Sequence, residues 1–126
     1  MSVKINLSEK RNPLLPEAPK KWYANARSSG DTTLRMLSKE IAARSTVSPA
    51  DTYATLVALT EVSIEHLAEG KIVRFGEFGA FQVSVGSTGA ETKEKFNYSM
   101  IKTKKITFRP GIDIKGMLNN LKFEKA

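Results

Sequence analysis

Apolar and polar residues alternate from the start of the chain. Val3, Ile5 and Leu7 are separated by Lys4 and Asn6, a period of two that predicts a half-buried strand. Pro13, Pro16 and Pro19 exclude a helix and a central strand over the next stretch, which reads as an extended connector. Lys20 to Arg27, with Trp22 and Tyr23, predicts a second strand, and Ser28-Ser29-Gly30-Asp31 breaks it. Over residues 32–44 the period lengthens: Leu34, Leu37 and Ile41 share a helical face, with Asp31, Thr32 and Thr33 all open as caps. Ser48 suits an N-cap, Pro49 a first helical position, and Asp51 a capping box, so a second helix starts there. It runs to about Glu69, where Gly70 ends it. Its apolar stripe, Tyr53, Leu56, Val57, Thr60, Ile64 and Leu67, is widened by Ala58, Leu59 and Val62. So broad a stripe wants more core than a short chain holds, and a second subunit is the natural supplier.

Beyond Gly70 the period returns to two. Ile72–Phe75 predicts a strand, Gly76-Glu77 a turn, and Phe78–Val85 a return strand with Phe81, Val83 and Val85 on one face. Residues 86–105 are polar and basic, Ile106–Arg109 is strand-like, and Pro110-Gly111 is a break. Ile114, Met117, Leu118 and Leu121 then line a short final helix. Strands and helices in this order, without repeats, predict an α+β chain.

At 126 residues, 40% hydrophobic and 26% charged, the chain is expected to be one globular domain with a decorated end. The absence of cysteine excludes disulfides, zinc fingers and thiol catalysis, and His66 alone excludes a multi-histidine metal site. No apolar run approaches the ~20 residues of a membrane helix. The first residues lack the apolar core of a secretory signal, so a soluble cytoplasmic protein is expected.

The net charge of +7 is uneven. Residues 1–44 carry +5, residues 45–70 carry −4 with no Lys or Arg, and residues 71–126 carry +6. Over residues 93–109 six cations face one acid, Glu94. This stretch reads either as a solvated hairpin that aids solubility or as an arm that follows a line of phosphates. On a strand Lys93 and Lys95 share a face, as do Lys102 and Lys104. Phe96 and Met100 are candidate wedges between base steps, or braces of the hairpin, the role expected of Tyr98 and Ile101. Catalysis is not expected: His66 stands alone, the serines sit in turns and caps, and Glu61 with Glu65 offer too few metal ligands. The glycines form no phosphate-cradling loop. No cofactor, metal or small-molecule substrate is called for.

Three blocks in register are similar to the bacterial HU/IHF family of histone-like DNA-binding proteins. Gly70–Val83, with Phe78-Gly79-Ala80-Phe81 at its centre, looks like the family's strand-turn-strand signature. Phe108-Arg109-Pro110-Gly111, followed by Ile114-Lys115, resembles its Phe-Lys-Pro/Ala-Gly block. Ile41-Ala42 and Val47–Asp51 resemble its helical pair. The resemblance covers about residues 32–121 and implies an intertwined homodimer with a helical base, a three-stranded sheet and long β-arms that embrace duplex DNA in the minor groove. It implies an architectural protein of the bacterial nucleoid that bends or compacts DNA with little sequence specificity. Lys93, Lys95, Lys102, Lys104, Lys105 and Arg109 are then the expected phosphate contacts, with Arg74 and Lys115 as further candidates.

Glu77 stands where the family usually has glycine, leaving Gly76 to turn the chain. Residues 84–105, the expected arm, contain no proline, so the family's intercalating tip proline has no counterpart. Residues 1–31 form an extra two-strand extension to the domain at 32–126 and resemble that of a longer HU-like branch. The competing expectations are an HU-like protein-interaction module, with Trp22 and Tyr23 in its contact surface, and an RNA-binding protein.

Overall fold

Both ends of the long helix are set by local chemistry. A computed structural model describes residues 1–126. Ser48 has an extended backbone and its hydroxyl accepts from the Asp51 N–H at 3.2 Å, so the helix α2 begins at Pro49 and runs to Ala68. At the other end Gly70 takes φ +84°, and the Gly70 and Lys71 amides donate to Leu67 and His66 carbonyls at 3.0 and 3.1 Å. This Schellman arrangement satisfies carbonyls that the helix itself leaves unpaired. The shorter α1, Leu34–Ala43, packs on α2. Ser38 and Thr52 are buried and each bonds back four residues, to Leu34 and Ser48 carbonyls at 2.7 and 2.8 Å, so neither hydroxyl lacks a partner. The Arg35 guanidinium lies 4.8 Å from the centre of the Tyr53 ring and ties the two helices together.

The chain divides into two units, residues 34–116 and residues 1–33 with 117–126. In the first, strands β3 (Val73–Arg74), β4 (Gly79–Ser87) and β5 (Ile101–Pro110) form an antiparallel sheet in that order. α2 packs on β3 and β4. Four aromatic rings close the base of this sheet. Phe81 lies 5.3 Å from Phe75 and 4.9 Å from Phe108, and Phe108 lies 5.8 Å from Phe78, all tilted. The ring of Phe108 lies against the backbone of Gly79, where an added Cβ would meet its Cε1 at 2.5 Å. Gly76, at φ +54°, turns the chain into β4, and Glu77 keeps an ordinary negative φ. α3, Ile112–Asn119, starts where the Gly111 and Asp113 amides bond the Phe78 and Glu77 carbonyls at 2.9 and 3.1 Å.

In the second unit β1 (Val3–Lys10) pairs antiparallel with β2 (Lys21–Arg27) and parallel with β6 (Phe123–Lys125). The strand β6 has no counterpart in the sequence reading, which gave the extension two strands. The connector at 11–20 is folded rather than extended. Pro13 and Pro16 each occupy the second position of a turn, closed by Leu15 and Ala18 amides on Asn12 and Leu15 carbonyls at 3.1 and 2.9 Å. The Asn12 side chain also accepts from the Leu14 amide at 3.0 Å. The prolines thus fix turns where their spacing was read as extension.

The Gly79 contact yields a stability prediction. Gly79→Ala is expected to cost about 1–3 kcal/mol, because at φ +155° the methyl would meet both the Phe108 ring and the Arg109 carbonyl oxygen. Urea denaturation measures it, and an unchanged midpoint would show that the ring and the β5 backbone both yield freely.

Candidate nucleic-acid interface

The register of the β3–β4–β5 sheet sorts its residues onto two faces of opposite character. Val73, Phe81 and Phe108 stand in one cross-strand row, followed by Val83 with Ile106 and Val85 with Lys104. The next row over the pleat is Arg74, Ala80 and Arg109, followed by Gln82 with Thr107, Ser84 with Lys105 and Gly86 with Thr103. Directly opposed residues point the same way, so the first set is one face and the second is the other.

The polar face brings together three of the expected contact residues. Arg74 and Arg109 flank the small, buried Ala80, and Lys105 lies farther along the hairpin. All three cations are exposed and none lies within ion-pair distance of a carboxylate. Between them the Ser84 and Thr107 hydroxyls are hydrogen-bonded at 3.0 Å. Gln82, Ser84, Thr103 and Thr107 were missed in the sequence reading. The signal was present: once Phe81, Val83 and Val85 define the apolar face, the alternate positions define this one. The result is a strip of donors and unpaired positive charge on a rigid sheet, which is chemistry suited to phosphate oxygens.

The hairpin extends to the Ser87–Ile101 pair, and a β-bulge interrupts it. Gly86 pairs with Thr103 and Ser87 with Ile101, which leaves Lys102 unopposed. Lys104 stands on the apolar face beside Val85, and Lys102, the extra residue, is not held to its face by the pleat. The shared face expected of Lys102 and Lys104 is therefore corrected. The expectation for Lys93 and Lys95 is corrected too, because neither lies on a strand. They sit in the turns of residues 88–100, where the Lys95 amide reaches the Thr92 carbonyl at 3.2 Å and the Phe96 amide the Lys93 carbonyl at 3.3 Å. The Lys95 ammonium is also 3.3 Å from Glu91, an exposed pair one helical-turn spacing apart that phosphate can displace at little cost.

The tip holds both candidate wedges. The rings of Phe96 and Tyr98 meet edge to face with centroids 6.2 Å apart, and Tyr98 opens a 3-10 turn ending at Met100. Tyr98 is 86% exposed, so the residue expected to brace the hairpin is instead its most solvent-facing ring, while Met100 and Ile101 are half-buried. Lys115 is exposed on α3, in the first turn after Gly111.

The apolar face is only partly covered. α2 shelters its Phe81 end across a hollow of about 190 Å³ lined by Thr60, Ile64, Leu67, Val73, Phe75 and Phe81. Val85 and Ile106 remain 58% and 52% exposed, and Leu59, Val62 and Ile64 of α2 are exposed as well. No helix is long and apolar enough to cross a membrane.

A family model described as an HU domain fused to a winged helix-turn-helix, immunoglobulin or glycine-rich motif, and called HU-HIG, matches residues 1–125. Among solved structures the chain is similar to a crystal structure from Bacteroides vulgatus provisionally described as a bacterial DNA-binding protein. The TM-score is 0.68 at 10% identity, over 98% of this chain and 47% of that one. The chain thus spans about half the length of that neighbour. No curated protein matches it.

The unpaired arginines of the polar face are expected to be dispensable for folding. Arg74→Gln or Arg109→Gln should change stability by no more than about 0.5 kcal/mol, in the stabilising direction at low salt, because each removes a like-charged neighbour. Thermal melts at two salt concentrations read this. A loss above about 1 kcal/mol would make the guanidinium groups part of the fold.

Proposed function

The chain belongs to the HU-HIG family, and from that premise we propose that it is an architectural DNA-binding protein acting as a homodimer. The observation that carries this reading is the polar sheet face, where Arg74, Lys105 and Arg109 stand unpaired beside four hydroxyl and amide side chains. Phosphates are the ligands such a strip serves best, and contacts to them carry no sequence information. Lys102 on the hairpin, Lys93 and Lys95 at its tip, and Lys115 on α3 add charge to the same task, whereas Lys104 stands on the apolar face. The description of the Bacteroides vulgatus neighbour as a DNA-binding protein supports the same ligand. The arms lie in the minor groove of duplex DNA, and a nucleoid location follows from that partner.

Dimerisation is supported by what one chain leaves uncovered. Ala80 is the lone hydrophobic residue of the core below a tenth exposed, while Val85, Ile106, Val62 and Ile64 face outward. An interface that covers them supplies the missing core, as obligate dimers do. Val85→Glu is expected to shift the protein toward monomer in analytical ultracentrifugation and to lower its melting temperature.

Fluorescence anisotropy on a duplex of unrelated sequence tests the DNA reading. Wild-type affinity is expected to fall steeply with salt. The Arg74→Gln, Lys105→Gln, Arg109→Gln triple variant removes six cations from the homodimer and should lower the salt slope by about 5, close to one per lost phosphate contact. Tight binding with a shallow slope, or preference for structured RNA in competition, would sink it. Without a tip proline, kinking rests on Phe96, Tyr98 or Met100. An energy-transfer bend assay is expected to give a weaker bend than proline-tipped relatives give, weakened further by Phe96→Ala. A wild-type bend as sharp as theirs, or a bend that Phe96→Ala leaves unchanged, would contradict this.

A further inference from the structure

The +5 charge of the first 44 residues has a structural counterpart that the sheet of residues 73–110 does not use. In the N-terminal sheet, register again separates two faces. Val3, Ile5 and Leu7 share one face with Ala24, Ala26, Trp22 and Phe123, with Glu9 and Lys125 as its charged members. The other carries Lys4 opposite Arg27, Asn6 opposite Asn25, Ser8 opposite Tyr23 and Lys10 opposite Lys21. The Asn25 amide donates to the Ser8 hydroxyl at 2.9 Å, which fixes both side chains on this face.

Two features of this face are costly for folding alone. Lys4 with Arg27, and Lys10 with Lys21, are like charges directly across the ladder, a pairing that destabilises a hairpin. Glu124, beside Lys4, is the one acid among the strand residues of this face, and no ion pair joins them. Between the two cationic pairs stands Tyr23, a large ring left 47% exposed. It borders an open groove of about 530 Å³ lined by Lys10, Arg11, Asn12, Pro13, Tyr23 and Asn25. An aromatic platform, carboxamides able to meet base edges, and cations at both ends of a strip roughly 20 Å long are the elements of a single-strand site.

We propose that this face binds single-stranded nucleic acid, with one base stacked on Tyr23 in the groove and the flanking phosphates on Lys10, Lys21, Lys4 and Arg27. The site is separate from the duplex-binding face proposed above and does not rest on it. A phosphate chain crossing the sheet relieves the repulsion within each cationic pair. The stacked ring gives affinity without sequence choice, because every base has a π-face.

The test uses the full-length protein with a short labelled oligothymidylate and, separately, a duplex. Tyr23→Ala is expected to weaken single-strand binding by about tenfold and Tyr23→Phe to retain it. Lys10→Gln with Lys21→Gln should lower the single-strand salt slope by about 1.4 while leaving the melting temperature equal or higher, since both side chains are exposed and repel each other. The Arg74, Lys105 and Arg109 variant should lose duplex binding and keep single-strand binding, so failure of either site is visible by itself. Single-strand affinity within about twofold of wild type in both the Tyr23→Ala and lysine variants would overturn the proposal. Equal losses on single strand and duplex would overturn it as well, since the face would then be an added duplex contact.

Discussion

The packing of Phe108 over the backbone of Gly79 is the contact on which the sheet of residues 73–110 depends. It fixes the register of β4 against β5 at its root, and the neighbouring rings of Phe75, Phe78 and Phe81 extend the same cluster to β3 and the turn. Register is an all-or-none property, because a slip of one residue sends every side chain to the other face. With Val73, Phe81 and Phe108 in one row, Arg74, Ala80 and Arg109 must form the adjacent row on the reverse. The aromatic cluster therefore positions the basic strip without touching it. α3 begins from the same region, through bonds to the Glu77 and Phe78 carbonyls.

What the sequence made legible was local. The Ser48-Pro49 cap, the Gly70 stop and the turn at Gly76 all appear where residue chemistry expects them, because each is decided within a few residues. The alternation of Phe81, Val83 and Val85 gave the faces of β4 correctly for the same reason. The losses were of two kinds. β6 is three residues long and pairs in parallel with a strand more than a hundred positions away, and no periodicity can announce such a partner. The tip and the bulge failed differently: alternation was extended past the end of the ladder, so Lys93, Lys95 and Lys102 were given faces that only a continuous strand would confer. Turn chemistry in Asn12-Pro13 was visible but was outweighed by the spacing of the prolines.

Each unit is built on a thin three-stranded sheet with one apolar and one basic face. A sheet this small buries little on its own, and the apolar faces of both remain substantially open. The physical demands on the two faces then diverge. The apolar face calls for cover, whereas the basic face gains from staying open, because unpaired cations on a firm support lose little entropy when an anion arrives. Folding and the proposed binding draw on different residues of the same strands, and substitutions can separate them.

The bulge at Lys102 gives the hairpin a phase break. Below it, odd-numbered residues of β5 such as Lys105 and Arg109 look toward the basic face. Above it Ile101, also odd, is opposite Ser87 on the apolar side. One unopposed residue thus uncouples the rotational setting of the tip from that of the root. Residues 88–100 form a self-closed cassette, tied at its neck by the Thr88 amide on the Met100 carbonyl at 2.9 Å. Changes in the length or chemistry of the tip can accordingly leave the aromatic root and its arginine row in step.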